Sequence, residues 1–223
     1  MTERKRRQRS RPQKEPLSLE AFTAAALAVL EREGVRAITL RRLARELETG
    51  PASLYAYVRT VQELHALVLD RALESVNLYP ELTGRPRERL EAVLNSYLAT
   101  LLRSPGLGEL AAGVLPYGDN TLKLTDALLG CLRDMGLSPA RAAWGYDLLA
   151  LHLTAKAAEL DRRRTQQDPV DCAEKAYAQA DAQQYPHLAA LRSELFSGTG
   201  PDRVSWAIES LLAGVATSPE PEV

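Results

Sequence analysis

From Ser18 onward apolar residues recur every three to four positions, in blocks that end at glycine or proline, which is the spacing of helices laid on a core. Phe22, Ala26, Leu27 and Leu30 share one face between Ser18, a capping residue, and Gly34, a terminator, and predict a helix over Leu19–Glu33. A second helix is predicted over 40–47, capped by Thr39, with Leu40, Leu43, Ala44 and Leu47 on its buried side. Gly50-Pro51 opens a third, because proline is tolerated where the backbone N–H has no partner, and Leu54 and Val58 give it an apolar back. Thr60 and Glu63 form a capping box for a helix reaching about 78 and stopped by Pro80. Further helices are expected from Pro86 to about 104, over 107–115, over 120–135, and from Pro139 to about 163. A polar loop over 164–170 follows. Helical pattern then resumes near Asp171, is interrupted at Pro186, breaks over 197–201, and ends in a helix over 202–215 before an acidic tail. With nine or ten helices, no strand pattern and no internal repeat, the fold class is all-α.

Composition sharpens this picture in three ways. Of 223 residues, 45% are hydrophobic, enough for a sizeable core. No apolar run of the length needed to span a bilayer occurs and the charged N-terminus lacks a secretory signal, so no membrane partner is expected. Cys131 and Cys172 are isolated, without metal-ligand spacing, and fit a reduced, cytoplasmic protein. The net charge of −1 conceals an asymmetry. Residues 1–60 hold 13 Lys/Arg against 7 Asp/Glu, whereas the remainder holds 15 against 22. A basic front and an acidic rear suggest a nucleic-acid module joined to something else.

The segment 39–58 has the layout of a helix-turn-helix, the device that places a short helix in the major groove of DNA. A reading helix needs small or polar residues at its N-terminal end and an apolar back, and Pro51, Ala52 and Ser53 ahead of Leu54 and Val58 meet both demands. Thr39, Tyr55 and Tyr57 carry hydroxyls suited to phosphate, and Arg41 can reach guanine through O6 and N7. Tyr55 and Tyr57 could instead be packing aromatics, and Arg42 and Arg45 either phosphate ligands or a solvated face. The basic stretch at 1–16 reads either as a disordered arm that follows DNA or as a solvated tail.

Residues 18–80 resemble the DNA-binding domain of the tetracycline-repressor (TetR) family, through Gly34, Ile38-Thr39, Leu43-Ala44, Leu47, Leu54-Tyr55, Tyr57-Val58 and Leu64. The 54–58 pattern, with Pro116 and the 118–163 segment, is similar to the branch with a tetracycline-repressor-type C-terminal domain. Two departures stand out: Glu48 occupies a turn position where the family usually has glycine, leaving Gly50 to relieve the backbone, and Val61 replaces a usual phosphate-contacting lysine. The resemblance implies that Thr39, Tyr55 and Tyr57 touch phosphate while Arg41 and 51–53 face bases. It also implies a homodimer on a double-stranded DNA operator, joined by a four-helix bundle and answering an unidentified small-molecule effector. The organisation expected is a basic arm at 1–16, a three-helix reading domain at 17–62, a larger ligand-binding and dimerisation domain at 63–216, and a flexible tail at 217–223.

For the rear, the apolar stripe Val204, Ala207, Ile208, Leu211, Leu212 and Val215 is the candidate dimer contact, beside the helix ending near 163. Candidate ligand-lining residues are Tyr97, Leu101, Leu110, Tyr117, Leu128, Trp144, Leu148 and His152. The tetracycline repressors hold a metal–drug chelate through histidines on their fourth and sixth helices; Asn77 and Ala111 stand near those places, so neither metal, other cofactor nor tetracycline is expected. No catalytic constellation is present: no G-x-S-x-G, Walker loop, H-E-x-x-H or C-x-x-C. The reading is a ligand-responsive repressor of transcription, ahead of a ligand-free regulator or a helical enzyme.

Overall fold

The structure is a computed structural model that describes residues 18–80, 85–165 and 169–220, without the side chains of 165 and 169–171. The basic arm at 1–16 lies outside the described residues. Twelve α-helices and one 3₁₀ turn, with no strand among the described residues, make an all-α fold. Helix α1 (Leu19–Glu33) begins where Ser18 accepts a hydrogen bond from the Ala21 amide and ends at Gly34, whose φ is +80°. The 3₁₀ turn Val35–Ala37 leads into α2 (Leu40–Glu46), capped by Thr39, whose hydroxyl accepts from the Arg42 amide at 3.2 Å. Helix α3 (Pro51–Leu54) is a single turn.

The turn between α2 and α3 departs from expectation. The Thr49 amide donates to Ala44 O and the Glu48 amide to Arg45 O, the paired bonds of a Schellman C-cap. Such a cap needs one residue in the left-handed region, and here that residue is Glu48 itself, at φ 47°. Gly50 is extended at φ −78° and relieves nothing.

Helix α4 (Val61–Leu73) is capped by Thr60, which accepts from Glu63 N at 3.1 Å, while the Glu63 carboxylate reaches back to the Arg59 amide at 2.6 Å. It closes at Leu73 rather than near 78 because the amides of Glu74, Ser75 and Val76 turn back three residues, tightening the coil out of register. Beyond it come α5 (Pro86–Arg103), α6 (Leu107–Ala112), α7 (Asp119–Asp134) and α8 (Pro139–Thr165). Helix α6 stops at Gly113, short of the expected 115, and α8 continues helically into part of the segment read as a loop. After α9 (Pro169–Ala178), α10 (Pro186–Ala190) and α11 (Arg192–Leu195), α12 (Gly200–Thr217) starts two residues early, on a reciprocal capping box between Thr199 and Asp202.

Helix α8 is the axis of the rear, packed on α5, α6, α7 and α12. Helix α4 touches α1 on one side and α5, α6 and α7 on the other, so it joins the front to the rear. One buried core runs through both, from Phe22, Leu30, Leu43, Leu54 and Val58 to Leu90, Leu94, Leu128, Leu132 and Leu153. Helices α6 and α8 approach closely: a Cβ on Gly108 would stand 2.6 Å from the Ala157 carbonyl carbon, so glycine is required there.

Candidate nucleic-acid interface and ligand cavity

At the front, Leu54 and Val58 are buried in the core that also holds Phe22, Leu30 and Leu43, and this fixes which way α3 faces. Pro51, Ala52 and Ser53 are exposed on the opposite side, and Tyr55 beside them is 57% exposed. Thr39 and Arg41 are exposed at the start of α2. The Thr39 hydroxyl caps α2 through its oxygen and keeps its proton for an outside acceptor. Tyr57 is placed differently: its ring, half-buried, stacks on Phe22 with centroids 5.6 Å apart.

Arg42 is held inside the head. Its guanidinium forks onto Glu33, with Nε 3.1 and 3.0 Å from the two carboxylate oxygens, and its Nη1 reaches Glu46 at 2.8 Å. Arg32 joins Glu46 from α1 at 2.7 Å. These hydrogen bonds hold both carboxyls below the usual carboxylate range, Glu33 through Arg42, and Glu46 through Arg32 and then Arg42, and they raise Arg42. The network ties the end of α1 to α2, and Arg41 and Arg45 are left exposed around it.

The rear contains a cavity of 340 Å³ bounded by α4, α5, α6, α7, α8 and the 113–118 loop. Leu69, Leu73, Leu124 and Leu128 supply apolar wall, with Ala111, Val114, Leu115 and Pro116 near α6 and the loop after it. Two hydroxyl pairs cross it: Tyr97 with Thr154 at 2.7 Å and Thr125 with Tyr146 at 2.9 Å. Burial pushes the Tyr97 phenol up, so it stays protonated. Of the residues expected from sequence, Tyr97 and Leu128 line this cavity. Leu101 and Leu110 are core side chains outside the lining set, and His152 is half-buried outside it. Tyr117, Trp144 and Leu148 point outward and are exposed. Tyr146, Ala150 and Thr154 were missed, although their four-residue spacing of polar and small residues along a leucine-rich helix was a readable signal.

Carboxylates from other helices cap the two helices that flank the 113–118 loop. Asp161 on α8 accepts from the Gly108 amide at 2.7 Å and the Glu109 amide at 3.3 Å, at the start of α6. Asp70 on α4 accepts from the Thr121 amide and hydroxyl at 2.8 and 2.7 Å, at the start of α7. Both helices begin after glycine, which offers no side-chain cap of its own. At Gly118 a Cβ would lie 2.5 Å from the Asp70 carboxyl carbon.

The α12 stripe expected as the dimer contact is largely used inside the protomer. Val204, Ile208, Leu212 and Val215 are buried within the protomer, on the side of α12 that meets α8; only Ala207 and Leu211 are half-exposed. The uncovered side of α12 carries Trp206, 71% exposed, and the uncovered side of α8 carries Trp144, Leu148 and Leu151. Among the described residues no group of three or more His, Cys, Asp or Glu could hold a metal ion, and no helix is long and apolar enough to cross a membrane.

Comparison with known proteins agrees with this architecture. Residues 80–218 match the family described as tetracyclin repressor-like, C-terminal domain. The chain is 29% identical over 222 residues to the HTH-type transcriptional repressor DrrR1 of Streptomyces coeruleorubidus, covering 94% of this chain and 81% of that protein. Among solved structures, the TetR family protein ActR of Streptomyces coelicolor in complex with (S)-DNPA superposes with a TM-score of 0.81 at 31% identity, over 92% of this chain and 99% of that one. A putative transcription regulator from the Streptomyces named with it, SCO7704, is 37% identical with a TM-score of 0.78, over 93% and 98% of the two chains. ActR has also been solved with actinorhodin, at 32% identity and a TM-score of 0.80, over 90% of this chain and 97% of that one. The chain belongs to the TetR family of transcriptional regulators.

Proposed function

We propose that this protein is a repressor that binds a pseudo-palindromic operator as a homodimer and is released by a small molecule seated in the rear cavity. The observation that carries the reading is the exposed N-terminal edge of α3, Pro51 to Ser53, held outward by the buried Leu54 and Val58. A helix start without bulky side chains can bring its backbone against base edges. Arg41 supplies a fork for guanine, while Thr39 and Tyr55 supply hydroxyls for phosphate. One such head reads few base pairs, so two copies are needed, with half-sites about 34–36 Å apart or a multiple of that. The uncovered faces of α8 and α12, with Trp144, Leu148, Leu151 and Trp206, are the surface that joins them.

That ActR is found with (S)-DNPA and with actinorhodin supports a small-molecule effector here. The 340 Å³ cavity is within the usual size of such sites. Its α6 wall continues to the 3₁₀ turn Val35–Ala37 at the foot of the head, and its α4 wall continues into the head directly. An effector that fits the cavity better in one arrangement of α4 and α6 than in the other shifts the population of DNA-binding heads by that difference in affinity.

The test is selection of bound duplexes from a fragmented library of the source genome at physiological salt. Recovery of one pseudo-palindrome supports the reading. Recovery of unrelated fragments, lost on modest salt addition, reduces the activity to backbone attraction and overturns it.

A further inference from the structure

The walls of the cavity constrain the charge of what enters it. Among the described lining residues there is no Lys, Arg or His, and the one charged side chain is Asp147 on α8. Within one protomer Asp147 is exposed, at the edge of the face that carries Trp144 and Leu148, and has no hydrogen-bonding or ionic partner among the described residues. We propose that the effector is an apolar, ring-containing molecule bearing a protonated amine, with Asp147 as its counter-charge, a reading that rests on the cavity being the effector site.

An anion would find no cationic side chain in the described lining to replace its water. The helix N-terminus at the cavity, that of α7, is the fixture best suited to an anion, and the Asp70 carboxylate already occupies it through the Thr121 amide and hydroxyl. The wall hydroxyls are paired with one another, Tyr97 with Thr154 and Thr125 with Tyr146, so each pair uses one of its two O–H donors internally. An incoming carboxylate would meet Asp147 instead, in a rear whose sequence from residue 61 on holds 15 Lys/Arg against 22 Asp/Glu.

A cation has the opposite experience. Asp147 follows Tyr146 in the chain and precedes Leu151 by one helical turn, and all three line the cavity. The leucines and alanines of the inner wall would take the apolar ring.

Three probes share one ring system and differ in charge at pH 7.5: 9-aminoacridine is a cation, acridine is neutral and acridine-9-carboxylate is an anion. Their affinities for the full-length protein are measured by calorimetry without DNA. The wild type is expected to bind 9-aminoacridine roughly fivefold more tightly than acridine, the strength of a partly exposed ion pair, and the carboxylate weakest. Asp147→Asn should remove the advantage of the cation and leave acridine unchanged; Asp147→Lys should reverse the order. An unchanged order in Asp147→Asn, or no discrimination by the wild type, overturns the proposal. Ala150→Phe, which fills the cavity wall, is read separately with helical circular dichroism as a check on folding. Loss of all three probes in folded Ala150→Phe supports the cavity as the site. Unchanged binding of all three overturns the effector-site reading itself, whatever Asp147→Asn has shown.

Discussion

The front of the molecule and the outer face of α8 and α12 are both rich in large apolar side chains, but they use them in opposite ways. In the front, Phe22, Leu30, Leu43, Leu54 and Val58 are covered by neighbours from the same chain. On the outer face, Trp144 is 58% exposed, Leu151 64% and Trp206 71%. The head is finished by one chain, whereas the rear is finished on its inner side only. An apolar stripe of that extent on a water-facing surface is what the proposed dimer contact would cover.

The largest expected effect breaks this contrast at the rear. Trp206→Glu combined with Trp144→Glu places charge on the uncovered face without touching the buried core or the cavity wall, so a monomer with native helicity is expected in sedimentation. Operator affinity should fall at least about a hundredfold, because the two heads no longer bind as a linked pair. A dimer that persists would put the interface elsewhere. Ile208→Ala, on the covered side of α12, should instead leave the dimer in place and lower unfolding free energy by about 2–5 kcal/mol, measured in denaturant.

Within the head the same logic separates two neighbouring arginines. Arg41 is exposed, whereas Arg42 is forked onto Glu33 and Glu46. Arg41→Ala should cost about 1–3 kcal/mol of discrimination at one base position, seen as relaxed sequence preference in a competition assay. Arg42→Ala should leave that preference intact and loosen the α1–α2 junction, visible as a lower melting temperature. Relaxed preference in Arg42→Ala alone would exchange their roles.

Most of the head could be read from sequence because its signals are local. Ser18, Thr39 and Thr60 cap the helices they were expected to cap, and Gly50-Pro51 opens α3. Tertiary facts were less legible. The α12 stripe was wide enough for two contacts, and periodicity alone does not say which edge α8 covers; the answer was the edge assigned to the partner. Trp144 and Leu148, expected in the cavity wall, are exposed instead, because a long helix buried on several sides has no single apolar face to orient it. The cavity itself depends on α4, α5, α6, α7 and α8 meeting, and on α6 stopping at Gly113 to release the 113–118 loop. Few of those distances are encoded within a window of sequence.

The head's self-sufficiency has one flaw that pH should expose. His65 on α4 lies half-buried with its Nε2 buried and without a hydrogen-bond partner. Burial lowers its pKa from 6.5, with a hydrogen bond to the Ile38 backbone acting the other way. Because the folded pKa lies below the unfolded one, the unfolded chain binds more protons on acidification. The stabilising effect of keeping His65 neutral is therefore complete above about pH 6.5 and is lost as pH falls towards the folded pKa. Denaturant midpoints measured between pH 7.5 and 5 should decline in the wild type and less in His65→Leu. Parallel declines would shift the acid sensitivity to other groups, since Glu33 and Glu46 titrate below their usual 4.5 and contribute only at lower pH.

The smallest expected effect lies in the turn that aims α3. Glu48 takes the left-handed conformation of the Schellman cap at φ 47°, where a Cβ is unfavourable by about 1 kcal/mol. Glu48→Gly removes that penalty but enlarges the conformational freedom of the unfolded chain, an opposing term of about 0.5–1 kcal/mol. The two nearly cancel, so unfolding free energy should rise by no more than about 1 kcal/mol and operator affinity should hold. Glu48→Val probes the same position from the other side, since a β-branched residue is strained further in that region, and a measurable loss of stability is expected. If Glu48→Gly lost affinity while keeping its stability, the Glu48 side chain itself would be part of the DNA surface. The turn would then be chosen for contact rather than tolerated for geometry, and the head would be less complete without its operator than its buried core suggests.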